Sequence, residues 1–156
     1  MVSVPDPAER YPRTLAVTPE MVDTPWAPLS RPLSQCRMAL VTTGGVHRRD
    51  QQPFDIANDG YDWSYREIAS DTLASQLMVT HNHYDHTHVD QDINFMLPLD
   101  RFRELVSKGV VGELAPRCFS FYGYIQNPQA LMETTAKEVA AHLKADGTDA
   151  VFLTPA

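Results

Sequence analysis

Three short uncharged runs set the frame of this chain: Met38-Ala39-Leu40-Val41, Leu77-Met78-Val79-Thr80 and Ala150-Val151-Phe152-Leu153. Each is too short for a core helix and rich in β-prone residues, so each reads as a buried strand. Between them lie two stretches with helical spacing. Leu99, Phe102, Leu105 and Val106 share one face, up to a stop at Gly109. Asn127-Pro128 offers an N-cap and an N1 proline for a second helix. That helix is expected to run to Ala145, with Leu131, Thr135, Val139 and Leu143 on one face and Gly147 past its end. Val110–Val111 and Cys118–Tyr122 add two further candidate strands. Strand–helix–strand alternation predicts an α/β fold, a single three-layer domain with a mostly parallel sheet.

The first 35 residues are different in kind. They hold seven of the twelve prolines, Pro25, Pro28 and Pro32 among them. Such a segment cannot form a long helix or a central strand. It reads as an extended arm over residues 1–35, ahead of an α/β domain over residues 36–156. Trp26 and Leu29 are its expected anchors, on the body or on a partner subunit. Residues 48–76 are polar, with aromatic anchors Phe54, Tyr61, Trp63 and Tyr65. They read as a long irregular excursion, and excursions of this length are often functional.

A formal charge of −7 argues against nucleic acid or an anionic membrane as partner. No stretch approaches the roughly 18–20 apolar residues of a membrane span. Residues 1–13 hold no apolar signal core, so a cytoplasmic protein is expected. Cys36 and Cys118 form no CxxC pair, which fits a reducing compartment. Arg117 beside Cys118 could activate its thiol, whereas the apolar run around it suits a buried small hydrophobe.

The chemistry concentrates in Thr80-His81-Asn82-His83-Tyr84-Asp85-His86-Thr87-His88, which holds four of the six histidines. Imidazole and carboxylate are the usual ligands of zinc, iron or manganese. His81, His83, Asp85, His86 and His88 are therefore candidate ligands for a divalent transition metal. The pattern HxHxDH resembles part of the two-metal site of the metallo-β-lactamase superfamily. The resemblance ends with these residues, and the only later histidine is His142. Without metal, His83 and Asp85 become acid–base candidates, joined by His47. The turn Thr42-Thr43-Gly44-Gly45 is either an anion cradle of backbone N–H groups or a plain turn. Tyr84 is a further substrate-contact candidate. In an open parallel sheet, ligands sit outside the carboxyl ends of the strands. Thr42–Gly45, His47, the histidine loop and Thr154 are thus expected along one edge.

A longer series of blocks covers residues 25–156: MALVTTGGVH, PFD, SYREI, VTHNHYDHT, DINFMLPLDRFREL, GVVGELAPRCFSFYGYI and LKADGTDAVFLTP. In content and order these resemble the selenoprotein B family, the component B subunits of glycine, sarcosine and betaine reductases with the related D-proline reductase subunit. The resemblance implies an α/β reductase subunit that binds a small amino acid or betaine and cleaves a C–N bond. In that family the strand ending in a TPG-like turn leads at once to a selenocysteine or cysteine, with a second cysteine three residues on. Here the sequence reads Leu153-Thr154-Pro155-Ala156, there is no selenocysteine, and neither Cys36 nor Cys118 matches those positions. The start at Met1 fits a complete short protein. Three readings remain open: a reductase-type subunit in a homo- or hetero-oligomer, served by a redox-active partner; a stand-alone metal-dependent enzyme acting on a small polar substrate through the His/Asp loop; and a non-catalytic small-molecule or metal-binding protein.

Overall fold

The computed structural model describes residues 27–156, Asp59 excepted. In chain order the strands are β1 (Arg37–Thr42), β2 (Val46–Arg48), β3 (Tyr65–Ala69), β4 (Leu77–Val79), β5 (Glu113–Leu114), β6 (Arg117–Phe121) and β7 (Ala150–Thr154). The helices are α1 (Leu99–Ser107) and α2 (Ala136–Ala145), the latter entered through a π-type turn at Leu131–Thr135. Asn127 caps this entry as its spacing predicts, its side chain accepting the Gln129 N–H at 3.1 Å.

β1 is the centre of the main sheet. Met38–Thr42 pair in parallel with β7 on one side. On the other side Arg37 and Met38 pair with β5, and Val41 and Thr42 with β6, again in parallel. β3 closes that side as an antiparallel strand on β6. The alternation of side chains along a strand then sorts the core into two layers. Met38, Leu40, Ile68 and Cys118 face one way and pack with Leu99 and Phe102 of α1. Val41, Phe119 and Phe121 face the other way and pack with Val139 and Leu143 of α2. The expected three-layer α/β architecture is present.

Four local expectations fail. Leu77–Val79 is a strand, but it pairs antiparallel with β2, Val46 opposite Val79, in a separate two-stranded sheet. Val110–Val111 is a turn, both amides bonding to the Leu105 carbonyl, and the pairing residues are Glu113 and Leu114. The 48–76 excursion contains a true strand, β3, whose Arg66 lies 4.2 Å over the Phe54 ring. β7 is no buried strand: Val151, Phe152 and Leu153 remain 38%, 42% and 68% exposed.

Trp26 lies outside the described residues. Leu29 is half-exposed, so it is not buried against the body. The described residues of the arm make polar contacts with the body. Gly112 N–H donates to the Leu33 carbonyl at 2.9 Å, and Arg31 pairs with Asp149 at 3.3 Å.

Candidate functional site

After β1 the chain enters β2, whose Val46 packs in the α1 layer, and after β6 it goes on to α2, which packs in the other layer. This is the topological switch at which open α/β sheets form a crevice. Its floor is built by backbone approaching backbone. Gly45 has φ +67°, and a Cβ there would run into the Thr80 carbonyl oxygen. Gly123 has φ +88°, and a Cβ there would run into the Thr43 carbonyl oxygen. Gly45 donates to Phe121 O and accepts from Thr80 N–H, both at 2.9 Å. The loops after β1, β4 and β6 therefore converge. The expected gathering of Thr42–Gly45 and His81 is present, although β4 belongs to the small sheet. The Gly45–Thr80 bond at the end of the β2–β4 ladder joins them. Thr43 N–H donates to Thr154 O at 3.0 Å, and Ala156 N–H donates to Thr43 Oγ1 at 3.0 Å. The carboxyl end of β7 thus lands on the same turn.

The anion-cradle reading of the turn does not survive this geometry. The third amide, Gly44 N–H, donates to Thr42 Oγ1 at 3.0 Å. The amides of Thr43, Gly44 and Gly45 are therefore all engaged within the chain, and Thr42, Gly44 and Gly45 are buried. The turn is structural, and only Thr43 is partly open.

Above this floor the histidine loop interleaves with tyrosines. His83 stacks on Tyr124 with centroids 3.8 Å apart. His81 lies 4.6 Å from Tyr122 and 4.8 Å from Tyr84, and Tyr84 lies 4.6 Å from His86. Hydrogen bonds fix the rings. His81 Nδ1 accepts the His83 N–H at 3.0 Å, the Tyr122 hydroxyl donates to Asn82 Oδ1, and the Tyr84 hydroxyl donates to Gly44 O at 2.9 Å. Burial is the main cause pushing the Tyr84 phenol up to about 12, with Asp90 adding to it. His81 and Tyr122 are buried, while His83 is exposed and Tyr124 half-exposed at the rim.

The proposed ligand set is not assembled. Among the described residues, no three His, Cys, Asp or Glu side chains converge to hold a metal ion. The rings of His81, His83 and His86 are taken up by tyrosines, and His88 packs at 5.6 Å on Phe95. Asp85 bonds forward to Thr87, accepting its N–H at 2.9 Å and its hydroxyl at 2.6 Å. Those two bonds hold the Asp85 carboxyl below its usual range. It is tied into its own turn rather than facing His83 as a catalytic partner. His47 is not an accessible acid–base group either. It is fully buried, with Nδ1 at 2.8 Å from Arg48 O and Nε2 at 2.8 Å from Thr80 Oγ1. The Arg48 carbonyl can only accept, so Nδ1 donates to it, and Nε2 shares a hydrogen bond with the Thr80 hydroxyl and orients it. Cys118 is buried, and desolvation pushes its thiol up to about 11. Arg117 does not activate it, being held by Asp146 at 2.7 Å and Glu67 at 3.1 Å.

Sequence reasoning missed Tyr122 and Tyr124. The available signal was Tyr122-Gly123-Tyr124 at the carboxyl end of Cys118–Tyr122, a run already read as a strand, where a switch-point loop belongs.

The fold and crevice define an α/β protein with a switch-point site walled by histidine and tyrosine. The chain belongs to the glycine/sarcosine/betaine reductase selenoprotein B family, whose model matches residues 9–156. It is 38% identical over 138 residues to the D-proline reductase subunit gamma of Acetoanaerobium sticklandii, covering 88% of this chain and 54% of that one. It is 32% identical over 142 residues to a glycine reductase complex component B subunit gamma of Symbiobacterium thermophilum, covering 87% of this chain and 32% of that one. A sarcosine reductase complex component B subunit beta of Peptoclostridium acidaminophilum is 30% identical over 132 residues, covering 81% of this chain and 29% of that one. The chain therefore spans about half the length of the first relative and about a third of the other two. No solved structure matches it. Among the described residues, no helix is long and apolar enough to cross a membrane.

Proposed function

We propose that this chain is the substrate-holding part of a reductase-type complex, acting on a small amino-acid-like molecule. The observation that carries the reading is the bond from Ala156 N–H to Thr43 Oγ1. It brings the carboxyl end of β7 to the crevice whose rim carries His83 and Tyr124. The family resemblance puts a thiol or selenol just beyond the matching strand, so a redox pair that meets this edge, from a continuation of the chain or from a partner, has its natural entry here. Reductive cleavage of a C–N bond takes two electrons and two protons. The pair supplies the electrons and ends oxidised, while one proton goes to carbon and one to the departing nitrogen. His83, exposed and positioned by Tyr124, is the group placed to give the nitrogen its proton. The buried rings beneath exclude water and fix the wall.

The test is calorimetric titration of the purified chain with glycine, sarcosine, betaine and D-proline. One of the four should bind, and His83→Ala should weaken it at least tenfold with an unchanged melting temperature, because an exposed ring contributes little to the core. Binding by none of them, or equal binding by the variant, would overturn the reading.

A further inference from the structure

Turns in this chain are closed by a repeated device. A side-chain oxygen of Asp55, Asp62, Asp85 and Asp92 accepts the N–H two residues on, from Ala57, Ser64, Thr87 and Asn94, at 3.1, 2.9, 2.9 and 2.9 Å. Short carboxylates and carboxamides are the usual side chains for this closure. At position 81 a ring makes it. His81 Nδ1 accepts the His83 N–H at 3.0 Å. Nδ1 stands as many bonds from Cα as the Oδ1 of an aspartate or asparagine, so it can take the same place. The ring also does what no short side chain could: buried, it fills the wall between Tyr122 and Tyr84, at 4.6 and 4.8 Å. His83 is exposed, with its backbone tied to His81 and its ring 3.8 Å from Tyr124.

We infer that His81 is a positioning residue of the crevice: the acceptor at its Nδ1 sets where the His83 ring stands at the rim. This rests on reading His83 as the group that protonates the departing nitrogen. One side chain then has two separable uses. Its bulk belongs to the wall, and phenylalanine would supply that without an acceptor. Its acceptor belongs to His83, and asparagine would supply that without a ring. Placement matters because a reacting group misplaced by about 1 Å can lose about a hundredfold in rate. Tyr124 is half-exposed, so contact with it is a loose reference for His83. A bond to a buried ring held between two others is a firm one.

The experiment is nuclear magnetic resonance of the full chain, isotope-labelled at histidine. In the unaltered chain the bond should be seen as a coupling between the His83 amide nitrogen and His81 Nδ1. The His83 ring protons should lie upfield, shifted by the face of Tyr124, an assignment checked by their loss in His83→Ala. His81→Phe should abolish that shift and His81→Asn should keep it, with His81→Asp in its place if the asparagine variant does not fold. In calorimetric titration with whichever of glycine, sarcosine, betaine and D-proline binds, His81→Phe should weaken binding about tenfold, the size of one net hydrogen bond, and His81→Asn should recover most of that loss. The inference fails if the coupling is absent, a result that needs no variant to fold. It fails if His81→Phe keeps the shift, because packing of the ring then suffices, or if the folded acceptor variant loses it, because the acceptor then does not. Failure of all four compounds to bind would overturn the reading of function and leave the resonance data to decide the placement. A failed shift test leaves any measured binding standing.

Discussion

Gly45→Ala tests the convergence of the loops directly, and Gly109→Ala is its internal control. Both glycines have nearly the same backbone, φ +67° and +69°. A non-glycine residue in that region costs roughly 1–2 kcal/mol. The surroundings differ. A Cβ at Gly109 meets nothing within 4 Å, whereas one at Gly45 meets the Thr80 carbonyl, with His81 Cβ 3.2 Å away. The neighbour at Gly45 is backbone and cannot rotate aside. Accommodating the methyl means moving Thr80 and giving up its bond to Gly45 O, which leaves buried polar groups unpaired at about 1–3 kcal/mol. The expected losses are about 1–2 kcal/mol for Gly109→Ala and about 2–5 kcal/mol for Gly45→Ala. That is a large share of a typical domain's stability. Urea unfolding at constant m-value gives both numbers. Losses within about 0.5 kcal/mol of each other would refute the close approach, and with it the floor of the crevice.

Two further outcomes follow from the buried groups. The Tyr84 phenol is held neutral up to about 12, against about 10 unfolded, so its contribution is complete below pH 10 and fades as pH rises toward 12. Discounted for its partial exposure, this is about 1 kcal/mol, and Tyr84→Phe should flatten stability across that window in alkaline melts; an unchanged slope would sink the assignment. Cys118, buried with its thiol pushed up to about 11, should resist a thiol reagent at pH 8 in the native chain and react fully in denaturant. Rapid native labelling at Cys118 would contradict its place beneath α1.

Much of the architecture was legible because local and tertiary preferences agree. The helical spacing from Leu99 and the cap at Asn127 both hold. The pairing of Leu77–Val79 was not legible, because three uncharged residues specify a strand but no partner. β3 was hidden by its charges: Arg66 looks like loop until its guanidinium is seen donating to the Gln52 and Pro53 carbonyls at 2.7 and 2.9 Å. In the crevice, the histidines singled out by the sequence are present, but most make contacts other than those expected of them. A histidine run looks like a ligand set until Tyr122 and Tyr124, some forty residues on, slide between the rings. The glycine turn looks like a cradle until all three amides are followed to their acceptors.

Those committed amides divide the crevice into a fixed part and a changeable part. Main-chain atoms of Thr43, Gly45, Thr80 and Gly123 make the floor, where a new side chain at either glycine meets a backbone carbonyl and destabilises the fold. The wall consists of side chains, and at the rim His83 and Tyr124 can be exchanged without touching a single floor bond. A site made this way can change what it accepts by point substitution in its wall while its position at the mouth of the sheet stays constant. Diversification of ligand preference on this scaffold should therefore be written in ring identities at the rim, with the two crowded glycines left alone.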